Sequence, residues 1–240
     1  MSRLCMFHPL DHPLERGWVG RVDGDRVIQL AAQTLQSYFT GGGTAREHAE
    51  FPLAEVRLLA PVLHPPSVRV FENESTFAFA NSAAIVGPGA EVTSGNGAPS
   101  NSLLQGRLSV LARLAGVIGA GGALAGYTVL ADWRDPSRAA PKDRDFALGL
   151  GPVVLTPDAL DLGELEVVMR VDGHERAREP CSAFDWQSAR ELAADRTMLY
   201  PGDLLAGPPV AVAEGNTSGQ LVELEVDPIG VLAARVGRQT

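Results

Sequence analysis

The 240-residue chain carries 20 Lys and Arg against 29 Asp and Glu, and this net charge of −9 argues against a surface built to attract phosphate backbones or anionic lipid. Hydrophobic residues at 45% and charged residues at 20% exclude a disordered polymer and require a packed core. No apolar run is both long and glycine-poor enough for a membrane span, the N-terminal residues lack the apolar core of a secretory signal, and Cys5 and Cys181 offer neither a disulfide framework nor a zinc spacing. The expectation is a cytoplasmic protein with no nucleic-acid or membrane partner.

The 26 glycines and 17 prolines punctuate short apolar runs, the pattern of a mainly β chain. Gly17 to Val22 and Arg26 to Leu30 flank Asp23-Gly24-Asp25, a hairpin signal. Ala31 to Phe39 reads as a short helix stopped by Gly41-Gly42-Gly43, and a second short helix is expected before Leu58. Pro61, Pro65 and Pro66 stiffen the next stretch and set a boundary between a small N-terminal domain, 1–60, and a larger one, 61–240. Beyond it, Ser67 to Phe71 reads as a strand, Ala83 to Val86 ends at the turn Gly87-Pro88-Gly89, and Thr93 to Ser102 reads as loop. Leu103 to Leu114 and Gly126 to Leu130 read as buried strands around a glycine-rich bridge. Leu165 to Val171 and Val222 to Val226 alternate with period two, as half-buried strands require, and Gln187 to Asp195 reads as a late helix.

General catalytic motifs fail. Gly119 to Leu124 lacks the last glycine of a dinucleotide fingerprint, no P-loop lysine follows a glycine-rich turn, and no Gly-x-Ser-x-Gly elbow occurs. His8 and His12 lie among prolines that oppose a metal-binding helix face. Glu72 and Glu74 share one face if extended, and together with Asp132 and Asp135 they are the remaining oxygen donors for a hard cation.

Five segments in order carry a resemblance. Phe77 to Gly89 is similar to an aromatic-x-Phe-x-Asn-Pro-x-Ala-Ile-x-Gly-Pro-Gly run, and Ala125 to Val129 with Asp132-Trp133 to a Gly-Tyr-Thr-x-x-Asn-Asp-Trp run. Lys142 to Ala147 with Gly151 to Asp158 resembles Lys-Gly-x-Asp-Phe-Ala followed by Gly-Pro-x-x-x-Thr-Pro-Asp, and Tyr200 to Asp203 and Asp227 to Gly230 resemble the closing turns. Together they resemble the fumarylacetoacetate hydrolase family over the whole chain. The resemblance implies a mainly β, α+β fold: a mixed β-roll or sandwich C-terminal domain behind a small β-rich N-terminal one, usually as a homodimer. It also implies metal-dependent hydrolysis, decarboxylation or hydration of short keto acids, in which a Glu-x-Glu strand and a later aspartate hold magnesium or manganese.

Several parts of that apparatus are altered. The third carboxylate persists as Asp132 and the lysine as Lys142, but aligning Leu103 to Val110 with the Glu-x-Glu strand puts Gln105 and Arg107 at the two ligand positions. Phe71 and Phe77 lie too close together for the insertion that bears the lid histidine, and the Gly-Thr-Pro turn becomes Gly207-Pro208-Pro209. A guanidinium beside a divalent ion costs several kcal/mol in a poorly solvated site, so no cofactor is expected, with magnesium or manganese at Asp132 as the family alternative.

Three readings follow. In the first, a metal-free enzyme acts on a small keto-acid or enolisable carboxylate through Asp132, Lys142 and Arg107, with Gln105, Asn81, Arg134 and Pro208 holding the substrate; the retained Lys142 and Asp145 favour it. In the second, the fold is a non-catalytic binding or assembly module in which Arg107 and Asp132 form an internal ion pair. In the third, a magnesium hydrolase has relocated its ligands to Glu72 and Glu74.

Overall fold

The computed structural model describes residues 2–93, 107–181 and 184–238. In chain order the strands are β1 (Arg3–Pro9), β2 (Trp18–Asp23), β3 (Arg26–Leu30), β4 (Glu47–Pro52), β5 (Val56–Leu59), β6 (Val68–Asn73), β7 (Thr76–Ala80), β8 (Ile85–Val86) and β9 (Ala90–Val92). They continue as β10 (Leu108–Ile118), β11 (Leu124–Arg134), β12 (Leu148–Leu155), β13 (Glu166–Val171), β14 (His174–Pro180), β15 (Leu204–Ala206), β16 (Ala211–Asn216), β17 (Leu221–Val226) and β18 (Gly230–Val236). Two helices, α1 (Leu35–Thr40) and α2 (Trp186–Ala194), accompany them.

The strands form a 13-stranded sheet whose main path runs β4-β3-β2-β1-β12-β11-β10-β15-β6-β7, and a 5-stranded sheet ordered β14-β13-β17-β18-β9. This mainly β architecture, a large mixed sheet with a smaller companion, is the fold class that the sequence resemblance implies. Among the described residues no helix is long and apolar enough to cross a membrane.

The hairpin expected at the start forms as β2 and β3, paired from Gly20↔Gln29 to Asp23↔Arg26, with Gly24 at φ +57° in the turn where a side chain would be strained. The late helix forms as α2, capped by the Asp185 carboxylate, which accepts from the Gln187 and Ser188 amides. The Ser188 hydroxyl, which donates to Asp185 Oδ2 at 2.6 Å, is the main cause holding the Asp185 carboxyl below its usual range, and the two amides add to it.

Two expectations change. The second short helix is absent: Glu47 to Pro52 is β4, paired with β3 through Val27↔Phe51 and Ile28↔Glu50. Phe51 meets the rings of Phe7 and Trp18 at centroid distances of 5.5 and 5.8 Å, so tertiary packing outweighs the local preference of this polar segment. β1 has no counterpart in the sequence reading, yet it pairs with β2, β5 and β12 and so joins the N-terminal strands to the rest of the large sheet. The expected loop from Thr93 to Ser102 lies, apart from Thr93, outside the described residues.

The core is split by the large sheet. On one side Val110, Ala112, Leu114, Val129, Ala131 and Trp133 pack with Trp186 and Ala189 of α2 and with Val167, Met169 and Leu224 of the smaller sheet. On the other, Ala115, Val117, Leu130 and Leu148 pack with Met6, Val68 and the α1 residues Leu35 and Phe39. The period-two alternation of β10 and β11 creates this division. Gly116 permits it, because a Cβ there would lie 3.1 Å from the Trp186 ring.

Candidate functional site

The centre of the large sheet is the antiparallel pair β10/β11, with Leu111 opposite Asp132, Arg113 opposite Leu130 and Ser109 opposite Arg134. Cross-strand partners share a face, so Leu111, Arg113, Asp132 and Arg134 project together. Arg113 has no exposed side-chain surface and Asp132 has 3%.

A charge at that depth persists only if it is fully paired, and Arg113 is. Its Nε donates to Asp132 Oδ2 at 3.1 Å, Nη1 donates to the carbonyls of Phe71 at 3.0 Å and Gly207 at 2.9 Å, and Nη2 donates to Glu72 Oε1 at 3.2 Å. The Gly207 carbonyl lies at an interruption in the sheet. Along β10 the partner changes from β15, paired at Ala115↔Ala206, to β16, paired at Ala112↔Ala211; the Gly207 and Val210 amides still donate to the Leu114 and Ala112 carbonyls, and the interruption lies at Pro208-Pro209 between them. Prolines donate no amide hydrogen to a ladder, and at this interruption the Gly207 carbonyl accepts from Arg113 instead.

Arg134 closes the other side of Asp132, its Nε donating to Oδ1 at 2.9 Å and its Nη2 to Oδ2 at 2.6 Å. Both carboxylate oxygens are thereby engaged. Arg134 Nη1 also lies 3.9 Å from Asp143, which Arg144 grips through Nε and Nη2. The hydrogen bond from Arg144 is the main cause holding the Asp143 carboxyl below its usual range, and Asp143, then Asp132 and Glu72, raise the Arg144 guanidinium. Guanidiniums at 113, 134 and 144 thus interleave with carboxylates at 72, 132 and 143.

The β6/β7 hairpin closes at Asn73↔Thr76, and Asn73 Oδ1 accepts from the Ser75 amide and from the Ser75 and Thr76 hydroxyls. This tight turn stands where the resemblance implies a lid insertion. Glu72 leans from it toward Arg113, while Glu74 is exposed in the turn.

The sequence candidates separate. Asp132 and Arg134 come together. Arg107 is exposed ahead of β10, and the guanidinium beside Asp132 belongs to Arg113, which corrects the assignment of that place to Arg107. Gln105 lies outside the described residues. Lys142 is 69% exposed and pairs with Asp145 at 2.6 Å on the surface. Asn81 has both ends engaged, donating to the Asp145 carbonyl and accepting from the Ala83 amide. Pro208 borders a space of about 10 Å³ with Cys181, Phe184 and Trp186, scarcely room for one water. Burial there pushes the Cys181 thiol up to about 11.

The sequence reading missed Arg113. Counting pairs outward from the glycine-rich bridge puts Leu111 opposite Asp132 and Arg113 two positions along on the same face; the bulge at Val117/Ile118 shifts that count.

The family model described as fumarylacetoacetate (FAA) hydrolase C-terminal matches residues 54–237. The chain belongs to this family. A second model, Rv2993c-like, N-terminal, matches residues 17–61. A search of curated proteins gives no match. Among solved structures, maleylpyruvate hydrolase from Sphingobium sp. SYK-6 in complex with manganese(II) and pyruvate is 22% identical, with a TM-score of 0.79 over 99% of this chain and 100% of that one. A 2-hydroxyhepta-2,4-diene-1,7-dioate isomerase from Mycobacterium marinum is 23% identical, with a TM-score of 0.78 over 99% of each chain. Fumarylacetoacetate hydrolase from Exiguobacterium antarcticum is 19% identical, with a TM-score of 0.79 over the whole of both chains.

The family's divalent metal does not fit the described residues around Asp132. Leu111 offers no donor, both oxygens of Asp132 are taken by guanidiniums, and Glu72 is bound to Arg113. Among the described residues no group of three or more His, Cys, Asp and Glu side chains could hold a metal ion.

Proposed function

We propose that this family member is a metal-independent binding or assembly module and does not perform the metal-assisted cleavage of keto acids. The observation that carries this reading is the buried Arg113 guanidinium, bonded to Asp132 and to the Phe71 and Gly207 carbonyls. A divalent ion at Asp132 would meet a fixed cation a few ångströms away, a repulsion of several kcal/mol at an effective dielectric near 20. A substrate oxygen fares little better, because four of the guanidinium's bonds already go to protein.

The test is to incubate the protein with manganese or magnesium and with maleylpyruvate and fumarylacetoacetate. The expected result is no thermal stabilisation by metal, no effect of chelator and no turnover. Metal-stimulated turnover overturns the proposal.

A second reading keeps a metal-free reaction on a small keto-acid or enolisable carboxylate, with Asp132 as base and Lys142 as acid. The exposure of Arg134 at 16% and Arg144 at 41% supports it, since a carboxylate could reach this outer part of the network. Turnover that persists in chelator and disappears in Asp132→Asn would select it.

A further inference from the structure

A cleft of about 390 Å³ opens where β1 meets the proline-rich stretch ahead of β6, and it shares no residue with the Asp132 network. Met6, Pro61, Leu63, Pro66 and Pro201 supply apolar walls. That volume and lining are typical of small-molecule sites, which are concave, mostly apolar and furnished with a few polar groups.

The walls are also stiff. Each proline fixes its own φ, and Gln36 Nε2 donates to the His64 carbonyl at 3.5 Å, tying α1 to the same stretch. A ligand entering a preformed cleft loses little affinity to ordering its host.

The polar groups at the cleft include Arg16 and His64, both exposed. Arg16 has no ion pair among the described residues, whereas Arg21 and Arg26 in the same part of the chain pair with Glu47 and Glu50. On a chain of net charge −9, an unpaired guanidinium beside an apolar cleft is complementary to one kind of ligand. It needs an apolar body for the walls and an anionic end for the fork of N–H donors.

We propose that this cleft binds a small amphipathic carboxylate, with its aromatic or aliphatic body against Met6, Leu63 and the prolines and its carboxylate on Arg16, beside His64. The site is distinct from the Asp132 centre and stands whether or not that centre is catalytic.

Calorimetric titration and thermal shift on the intact chain test it, using phenylacetate and hexanoate as probes, phenylacetamide as the neutral counterpart and acetate as the anion without a body. The two apolar acids are expected to bind saturably at one site, with phenylacetamide and acetate at least tenfold weaker. Arg16→Gln, at an exposed position, should weaken phenylacetate at least tenfold and leave phenylacetamide unchanged. Arg178→Gln, at a surface ion pair elsewhere, should leave both unchanged. Absence of saturable binding by either acid overturns the proposal. So does binding that survives Arg16→Gln, or binding lost in Arg144→Gln, which would place the acid at the ion network.

Discussion

The Arg113–Asp132 pair and the Lys142–Asp145 pair join the same kinds of charge at similar distances, 3.1 and 2.6 Å, yet they stand in opposite physical situations. The first lies between β10 and β11 with almost no exposure, so each partner depends on the other and on the Phe71 and Gly207 carbonyls. The second is surrounded by water, which solvates either charge alone. A buried pair is therefore a structural commitment, and a surface pair is close to optional. In this protein the commitment falls on the spot where the family resemblance places a metal.

The largest effect should come from breaking the buried pair. Arg113→Ala leaves Asp132 with only Arg134 and orphans two backbone carbonyls, and urea unfolding should register a loss of about 3–5 kcal/mol. A smaller loss, near 1 kcal/mol, would mean that water reaches Asp132 and that the centre resembles the surface pair.

Rebuilding the donor set inverts the experiment. Leu111→Glu with Arg113→Glu places two carboxylates on the face of Asp132, and this variant should be less stable without metal and recover with manganese. At one hundred times the dissociation constant, ligand linkage gives about 2.7 kcal/mol, reversible by chelator, whereas the parent should show no response. Failure of manganese to stabilise the variant would show that other residues also block the site.

Acidification sharpens the comparison from the edge of the network. Asp143 is held below its usual range chiefly by Arg144, so its folded-state pKa is depressed. Its contribution is present above the unfolded value, about 3.9, and is lost as pH falls through the folded value. Denaturation midpoints should therefore decline below about pH 4, and Arg144→Gln should flatten that decline.

The smallest effect belongs to Lys142→Ala. It should cost less than about 1 kcal/mol in the same urea assay. A loss comparable with Arg113→Ala would contradict the surface placement of Lys142.

Much of the scaffold was legible because it depends on local rules. The Asp23-Gly24-Asp25 turn, the alternation in β13 and β17 and the capped helix α2 are each specified by a few neighbouring residues. β1 and β4 were not legible, because each is a strand by virtue of its partners. At the site, Asp132 and Arg134 were reached through the Asp-Trp run, while the cation beside Asp132 was assigned six positions too early in the chain. Motif matching over a segment with neither glutamate had nothing to fix its register, and hydrogen bonding across β10 and β11 supplies what the motif could not.

The sequence by itself determined the family, the mainly β class and the absence of a lid between Phe71 and Phe77, since these follow from composition, ordered motifs and chain length between fixed points. Only the tertiary structure decided which arginine sits at Asp132 and whether a ligand could reach it. That depends on strand register, where a shift of one residue moves a side chain to the opposite face, and on the Phe71 and Gly207 carbonyls, which accept from Arg113 and hold it in place.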